Sequence, residues 1–518
     1  MIFRSTYNRL VATRIREYSA VSPRSFLLMA IIVFLTTCAI FSFILFQYFN
    51  VPASFALVFT PSDCFWGYYA NWAGSVGRHC FGDYLQVMLL GMQPNPWLPL
   101  NIVPSKPDFV SSYTASAMIP QTIFGHLGHV LGSPRVGVFA YLFVLAISVL
   151  SPARWASRSA VGVERLVIFV VCGLLATPVW ILLDGGNSTG FAVPALLAYL
   201  VALRRKRWDH AAFAVVAAAL VKPHFGLLVI VFFVARKWRV GLMTSAGIIF
   251  SNVMAYLVWP RDFPRTLEQS LHLILSFGRQ DENSLTADNV WFVKGMLFSP
   301  LNVSFAKGLL LIPNGIKARS EGGILPIDYL ATLYPVIGLG LPLLFIAWLI
   351  FLGRRIPPLM AGIVLLATAS LSPVIAVHYY LAFALPVAAV ILRDPMGSGI
   401  FDHFGTPRRA VAMWTSFATA ICIALVPLPG PPVITSVSWQ HGVFQPQGTE
   451  SGFVETTAVF APVVWLISII AILVSYSCRE TYSPLACAET ETVDNFMPLQ
   501  RRQKDCSIKS ERTYYDNV

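Results

Sequence analysis

The chain has 518 residues, of which 56% are hydrophobic and only 12% are charged, and its mean hydropathy is +0.66. Because soluble proteins carry about 25% charged residues, this composition excludes an ordinary soluble globular protein. The formal net charge of +12 fits cytoplasmic membrane loops, in which Lys and Arg concentrate, so we expect no nucleic acid partner.

Apolar runs recur from about residue 24 to residue 477, and they are continuous instead of alternating. A helix needs about 20 such residues to cross a bilayer, and in lipid only helices and closed barrels satisfy the backbone. The runs therefore predict an all-α polytopic membrane protein. The predicted apolar segments are 24–49, 113–132, 134–150, 164–183, 189–203, 211–221, 223–235, 241–259, 326–351, 357–374, 379–392, 411–428 and 457–477.

Basic clusters between these segments indicate the topology. If all of them are cytoplasmic, one of the two segments between residues 50 and 150 does not span. The better candidate is 113–132, which holds Gln121, His126 and His129. This leaves about twelve transmembrane helices with both termini inside.

The same pattern predicts the domain organisation. Residues 1–23 are a basic cytoplasmic N-terminus, 24–477 are the transmembrane domain, and 478–518 are a disordered cytoplasmic tail. The predicted outer loops are about 50–112, 260–325 and 429–456.

The first outer loop contains the stretch TPSDCFWGYYANWA, residues 60–73. Trp and Tyr favour the boundary between membrane and water, so its aromatic part predicts a helix that lies flat on the outer surface. The residues on one face of this predicted helix are Phe65, Tyr69, Trp72 and Val76.

Asp63 stands at the N-terminus of this predicted helix and has two interpretations. Either Ser62 or Asp63 caps the helix and interacts with its dipole, or Asp63 is a general base where a lipid-borne substrate meets a polar acceptor. Asp83 is a second acidic candidate in the same loop. Cys64 and Cys80 flank the aromatic stretch in a compartment where disulfides persist, and we predict that they form a disulfide.

A glycine-rich motif, DGGNSTGF at residues 184–191, begins at the outer end of a predicted span. It is either a turn between two helices or a place where Asn187 and Ser188 hydrogen-bond to a sugar or a phosphate.

The segments 211–221 and 223–235 are each short for a full crossing and meet at LVKPHFG, residues 220–226. A Pro-broken helix pair of this kind is tolerated only where it is buried or lines a cavity. Lys222 in this break either extends to the outer interface or binds a phosphate as a point charge.

Two more polar motifs lie near the predicted outer face. His378 in LSPVIAVHYY is either a hydrogen-bonded packing residue or a ligand contact. The loop FGRQDENSLTADNVWF, residues 277–292, is either solvated or a polar rim in which Arg279 holds a phosphate bidentately. His126 and His129, without a carboxylate, do not predict a metal site.

Taken in order, these motifs resemble glycosyltransferase family 87, which has the C-type (GT-C) membrane fold. The family includes polyprenyl-phosphate-mannose-dependent mannosyltransferases and decaprenyl-phosphoryl-arabinose-dependent arabinofuranosyltransferases of mycolic-acid bacteria. The chain departs from the family pattern at Tyr113-Thr114-Ala115, where the family often has Tyr-Pro-Pro, and in its Gly-Gly-Asn turn. The similar stretches, between about residues 60 and 390, are SDCFWGYY, DGGNSTGF, WDHAAFAVVAAALVKPHFGLLVIVFFVARKWR, RTLEQSLHLILSFGRQDENSLTADNVWF and SPVIAVHYYLAFALP.

The resemblance implies an integral-membrane glycosyltransferase that moves arabinofuranose or mannose from a polyprenyl-phosphate-sugar donor to an envelope glycan or glycolipid. It would act on the outer face of a bacterial plasma membrane. Asp63 would be the general base, and Lys222, Arg279 and His378 would hold the donor phosphate. Substrate contacts would come from Tyr68, Tyr69, Asn187, Asn283, Asn289 and Tyr379. No cofactor would be required, although C-type relatives sometimes use a divalent metal.

A polytopic transporter, or a flippase for lipid-linked sugars, is the alternative function. It too would have many spans, a broken helix and charges within the membrane. Against it, the polar motifs collect on one face instead of at the midplane, and the sequence contains no repeated halves. A structural subunit of an assembly is a third interpretation.

Overall fold

The structure, a computed structural model, is predominantly helical and describes residues 23–49, 75–76, 79–98, 111, 113–258, 262–276, 302–310, 313, 327–393, 407–440 and 443–477. Its α-helices in chain order are α1 Pro23–Phe49, α2 Phe81–Met92, α3 Ile119–Val130, α4 Pro134–Ser157, α5 Gly162–Phe169, α6 Thr177–Asp184, α7 Ala192–Arg204, α8 Trp208–Val221, α9 Ile230–Val234, α10 Trp238–Val258, α11 Arg265–Ser276, α12 Ile327–Leu352, α13 Pro358–Leu371, α14 Ala384–Leu392, α15 Pro407–Leu425 and α16 Ala461–Ser477.

Short 3₁₀ segments and two antiparallel strand pairs complete the described elements. The 3₁₀ segments are Ser116–Met118, Ser188–Phe191, Pro223–Val229, Gly353–Arg355, His378–Phe383 and Thr457–Phe460, and the π-helical turn Val170–Leu174 follows α5. The strands are β1 Ser75–Val76 paired with β2 His79–Cys80, and β3 Pro429–Gln440 paired with β4 Val443–Thr456.

Within the described chain, five helices are long and apolar enough to cross a membrane. These are Pro23–Ile44, Pro134–Ser157, Trp238–Leu257, Leu333–Arg355 and Thr457–Ser477. A sixth candidate is the pair Gly162–Leu174 and Thr177–Asp184, which is bent by 46°. The predicted class, a helical membrane protein with several spans, is confirmed.

The other predicted spans coincide with shorter apolar helices. These are Ser188–Arg204, Trp208–Val221, Pro223–Val234, Pro358–Leu371, His378–Leu392 and Ala412–Leu425. The segment predicted not to span, 113–132, contains α3, which has 12 residues and is too short to cross a bilayer by itself.

The centre of the bundle is formed by α13 and α14. Every residue in Leu359–Leu371 and in Ala384–Leu392 is buried, as expected for helices that are apolar on all sides. In contrast, α1, α10 and α12 expose large apolar side chains such as Phe43, Leu242 and Leu343. These outer helices therefore present the surface that lipid would cover.

Basic clusters from different parts of the sequence meet at one end of the bundle. Arg393, just after α14, donates a hydrogen bond to the carbonyl of Trp155 at 3.2 Å. Its cationic neighbours are Arg158, Arg204 and Arg205. Lys237 Nζ lies 5.7 Å from the ring centroid of Trp208, so the turn after α9 lies near the start of α8. The described polar motifs, at Asn187, Lys222 and His378, lie at the opposite ends of these helices.

The outer loop predicted at 429–456 contains the hairpin of β3 and β4, with Val433 opposite Phe453 and Trp439 opposite Phe444. This hairpin adds strands to a fold that the sequence predicts to be all-α. The sequence gives little sign of it, because prolines stand close together at the start of β3, and proline is rare inside strands.

The predicted surface helix of the first outer loop falls mostly outside the described residues. The prediction is wrong at Val76, the last residue of the predicted helix face. Val76 lies in β1 and pairs with His79 of β2. Gly74 and Gly77 flank this position, and glycine disfavours a helix interior. The described helix of this loop is α2, which holds Asp83 in its first turn.

Candidate functional site

Lys222 lies at the break between α8 and the 3₁₀ segment that begins at Pro223. Its backbone is extended, with φ −145° and ψ 112°, because the ring of a following proline disfavours the helical region for the residue before it. Pro223 then begins the next helical segment, a position that proline favours. The predicted Pro-broken helix pair is therefore present.

The Lys222 side chain is only 6% exposed and lies among three tyrosines. Its Nζ is 4.0 Å from the ring centroid of Tyr113, 5.9 Å from that of Tyr379 and 5.8 Å from that of Tyr380. All three distances are within the range of cation–π contacts. No carboxylate in the described part of the chain pairs with this ammonium group. This burial contradicts the interpretation in which Lys222 extends to the solvent.

Asn187 connects two of these tyrosines to the glycine-rich turn. Its Oδ1 accepts a hydrogen bond from the backbone N–H of Thr189 at 3.0 Å and so caps the 3₁₀ segment that follows. The same amide lies near the hydroxyls of Tyr113 and Tyr379. The glycine-rich turn therefore lies beside two of the rings that surround Lys222.

Two tyrosine hydroxyls fix the turn before Asn187. Tyr84 in α2 donates to the carbonyl of Asp184 at 2.7 Å, and Tyr141 in α4 donates to the carbonyl of Gly186 at 2.7 Å. Gly186 has φ +53°, and a Cβ at this position would lie 2.9 Å from the Tyr84 ring. Glycine is therefore required here, and the motif is a turn that also orients Asn187.

His378 is buried and begins the 3₁₀ segment that carries Tyr379 and Tyr380. The chain before this segment is held by Asn302, whose Oδ1 accepts a hydrogen bond from the N–H of Ala376 at 3.1 Å. The backbone of the same region pairs at Asn302 with Val377. Asn302, in the second predicted outer loop, therefore supports the turn that supplies two of the three tyrosines.

The sequence does not predict several residues of this cluster. Tyr113, His224, Asn302 and Tyr380 are absent from the predicted site. The His224 ring lies 5.1 Å from the Tyr380 ring, and its Nε2 has no hydrogen-bond partner among the described residues. His224 lies in the motif LVKPHFG and Tyr380 in LSPVIAVHYY. These two motifs could therefore have indicated both residues. Asn302 belongs to no such motif, and the sequence singles out Tyr113 only as part of a departure from the family's Tyr-Pro-Pro.

Other predicted site residues fall outside the described part of the chain. They are Asp63, Cys64, Tyr68, Tyr69, Arg279, Asn283 and Asn289. For Cys80, the backbone lies in β2. The base, the predicted disulfide and the contacts of the second loop therefore stay predictions. Among the described residues, no three His, Cys, Asp or Glu side chains are grouped so that they could hold a metal ion.

The cluster around Lys222 combines an ammonium group, phenol hydroxyls and an amide. An ammonium group offers three donors and a full charge, and phenols both donate and accept hydrogen bonds. Such a set suits an anionic ligand that also carries hydroxyl groups.

No protein-family model matches this chain, and no curated protein matches it. The fold and the cluster together define a helical membrane protein with a buried, tyrosine-lined cation. The resemblance to glycosyltransferase family 87 rests on the sequence motifs.

Proposed function

We propose that this protein is an integral-membrane glycosyltransferase that moves arabinofuranose or mannose from a polyprenyl-phosphate-sugar donor to an envelope glycan or glycolipid. The observation that carries the proposal is the buried Lys222 ammonium group among Tyr113, Tyr379 and Tyr380. A lipid-linked sugar phosphate brings an anion and several hydroxyl groups to the membrane, and so matches the cluster in charge and in hydrogen bonding.

Energetic considerations favour an anion next to Lys222. Burying a charged group costs several kcal/mol unless it is compensated, and each cation–π contact offsets only about 0.5–2 kcal/mol. A charge-assisted hydrogen bond to a phosphate oxygen would add about 1.5–3 kcal/mol. Because negative charge grows on the phosphate as its bond to the sugar breaks, a fixed cation would stabilise the transition state more than the ground state.

In the proposed reaction, the acceptor hydroxyl attacks the anomeric carbon of the donor sugar. The bond between that carbon and the phosphate oxygen breaks, and polyprenyl phosphate leaves with the bonding electrons. Asp63 takes the proton of the attacking hydroxyl. Lys222, Arg279 and His378 hold the leaving phosphate, and Asn187 contacts the sugar.

The proposed architecture is a GT-C fold with about twelve spans, in which the shorter apolar helices complete the set. The site would face outward from a bacterial plasma membrane, with both termini in the cytoplasm. The separation of basic clusters and polar motifs to opposite ends of the bundle supports this orientation, because Lys and Arg are enriched in cytoplasmic loops.

A transporter or flippase for lipid-linked sugars is the second candidate. It is favoured by the broken helix at Lys222 and by the helix pair bent by 46°, since transporters often bind substrates at discontinuous helices.

One experiment separates the two candidates. Purified full-length protein is supplied with a polyprenyl-phosphate donor that carries a radiolabelled sugar, first in detergent with an acceptor glycan and then in proteoliposomes. Label on the acceptor glycan supports the transferase. Movement of the intact donor between leaflets, without label on the acceptor, supports the transporter and contradicts the transferase.

A further inference from the structure

A second cationic site lies at the other end of the segment that begins at Pro223. A cavity of about 450 Å³ is lined there by Arg236, Arg354 and Arg355 and by apolar residues that include Ile350 and Phe351. Arg236 belongs to the turn after α9, and the other residues lie at the end of α12 and in the 3₁₀ segment Gly353–Arg355 that follows it. Two basic clusters that are far apart in sequence therefore share one cavity.

Arg236 occupies a backbone position that usually belongs to glycine. Its φ is +58°, and the turn is closed by hydrogen bonds from Arg236 N–H to Phe233 O at 3.0 Å and from Lys237 N–H to Phe232 O at 2.7 Å. This is the pattern of a helix that ends in a left-handed residue. A residue with a Cβ is strained in this conformation, so an arginine at position 236 destabilises the folded protein relative to a glycine.

The three guanidinium groups have no acidic partner in the part of the chain that the structure describes. They are exposed, and three like charges around one cavity disfavour each other unless an anion joins them. Guanidinium groups bind phosphate oxygens bidentately.

Apolar surface adjoins the three charges. Ile350 is 56% exposed and Phe351 is 73% exposed, one turn before the arginines, and Trp238 at the start of α10 is 58% exposed. Further along α12, Leu339 and Leu343 are also exposed. A free phosphate would use only the cations, whereas an amphiphile would use both the cations and this apolar strip.

We infer that this cavity binds the headgroup phosphate of an anionic phospholipid, whose acyl chains lie along the exposed face of α12. Basic pockets between membrane helices are suited to anionic headgroups. The site lies at the end of the bundle opposite the Lys222 cluster, and the inference does not depend on sugar transfer.

The test measures binding of phosphatidylglycerol to the detergent-solubilised full-length protein by native mass spectrometry. The main variant carries Arg236→Gln, Arg354→Gln and Arg355→Gln. We expect its affinity for phosphatidylglycerol to fall at least about tenfold, since the three lost charge-assisted hydrogen bonds are together worth at least a factor of ten. Unchanged affinity would overturn the inference.

The matched control carries Arg158→Gln, Arg165→Gln and Arg207→Gln. It removes the same charge from exposed arginines that do not line the cavity, and it should bind phosphatidylglycerol as the unmodified protein does. An equal loss in the control would show non-specific attraction and would overturn the inference. Competition with inorganic phosphate shows whether the site binds a lipid or a free anion. Inorganic phosphate should displace bound phosphatidylglycerol poorly. Displacement at equal concentration would contradict the lipid assignment.

Arg236→Gly keeps the test informative if the triple variant does not fold. Glycine relieves the strain at φ +58°, so this variant should melt at a higher temperature than the unmodified protein. It also removes one guanidinium group, so phosphatidylglycerol should bind less tightly. A more stable protein with unchanged lipid affinity would remove Arg236 from the site and contradict the inference.

Discussion

Two cationic regions lie at the two ends of Pro223–Val234. At one end, Lys222 is buried among tyrosine rings. At the other end, Arg236 is exposed beside Arg354 and Arg355. A buried charge depends on each of its neighbours for compensation, whereas exposed charges are solvated and act mainly through their sum. Single substitutions should therefore have large and specific effects at the Lys222 end, and smaller, additive effects at the arginine end.

The largest effect is expected at Asp63, the predicted general base. Asparagine caps a helix about as well as aspartate, so Asp63→Asn should leave expression, folding and donor binding intact. It cannot accept a proton, so turnover should fall by roughly two to four orders of magnitude. Radiolabelled sugar transfer under saturating donor measures this change.

Asp83→Asn is the control for Asp63→Asn, because it removes a carboxylate from the same loop, and it should retain much of its activity. Substantial transfer by well-folded Asp63→Asn would show that Asp63 is a cap and no base.

Lys222→Met should weaken donor binding roughly 10- to 100-fold, because one charge-assisted hydrogen bond is worth about 1.5–3 kcal/mol. Acceptor binding should change much less. Arg236→Gln, which removes a cation from the other end of the same segment, should leave donor affinity unchanged. Binding of radiolabelled donor to the purified variants measures the two donor affinities, and binding of a radiolabelled acceptor measures the third quantity. Normal donor affinity in folded Lys222→Met would remove Lys222 from the donor site.

Substitutions at two glycines, one near each cationic region, compare the two regions without any ligand. Gly186 and Gly353 both have positive φ, but an added Cβ meets the Tyr84 ring at Gly186 and open space at Gly353. Gly186→Ala should lower the free energy of unfolding by about 1–3 kcal/mol, and Gly353→Ala by about 1 kcal/mol. Thermal unfolding in detergent compares them, and equal losses would mean that the packing against Tyr84 is unimportant.

The smallest effect concerns the ring closest to Lys222. Tyr113→Leu removes a cation–π contact worth about 0.5–2 kcal/mol, so donor affinity should fall roughly 2- to 30-fold. Tyr113→Phe keeps the ring and removes only the hydroxyl near Asn187, so its decrease in donor affinity should be smaller. If both variants lose the same affinity, the hydroxyl matters and the ring does not.

The sequence predicts the helices well because lipid leaves the backbone few choices. Apolar runs had to become helices, and the break at Lys222 follows from a local rule about the residue before Pro223. Asn187, Lys222 and Tyr379, which the structure brings together, could be singled out from the sequence because each stands in a polar motif within apolar sequence.

The contacts that the sequence does not predict join distant segments. Tyr113 approaches Lys222, and Asn302 approaches Ala376, across more than seventy residues of chain. No local pattern encodes such pairs. The hairpin of β3 and β4 was not predicted for a different reason. It contains prolines, which are rare inside strands.

The segment Pro223–Val234 is too short to match the thickness of a bilayer. Its 7 residues of 3₁₀ helix and 5 residues of α-helix extend about 21 Å, whereas the hydrocarbon core is about 30 Å thick. With Arg236 at one membrane surface, Lys222 lies roughly 9 Å below the opposite one. A lipid-borne phosphate that reaches Lys222 must then sink below its neighbours, or the bilayer must thin around the protein. Transfer in nanodiscs should therefore speed up as the acyl chains of the surrounding lipid become shorter.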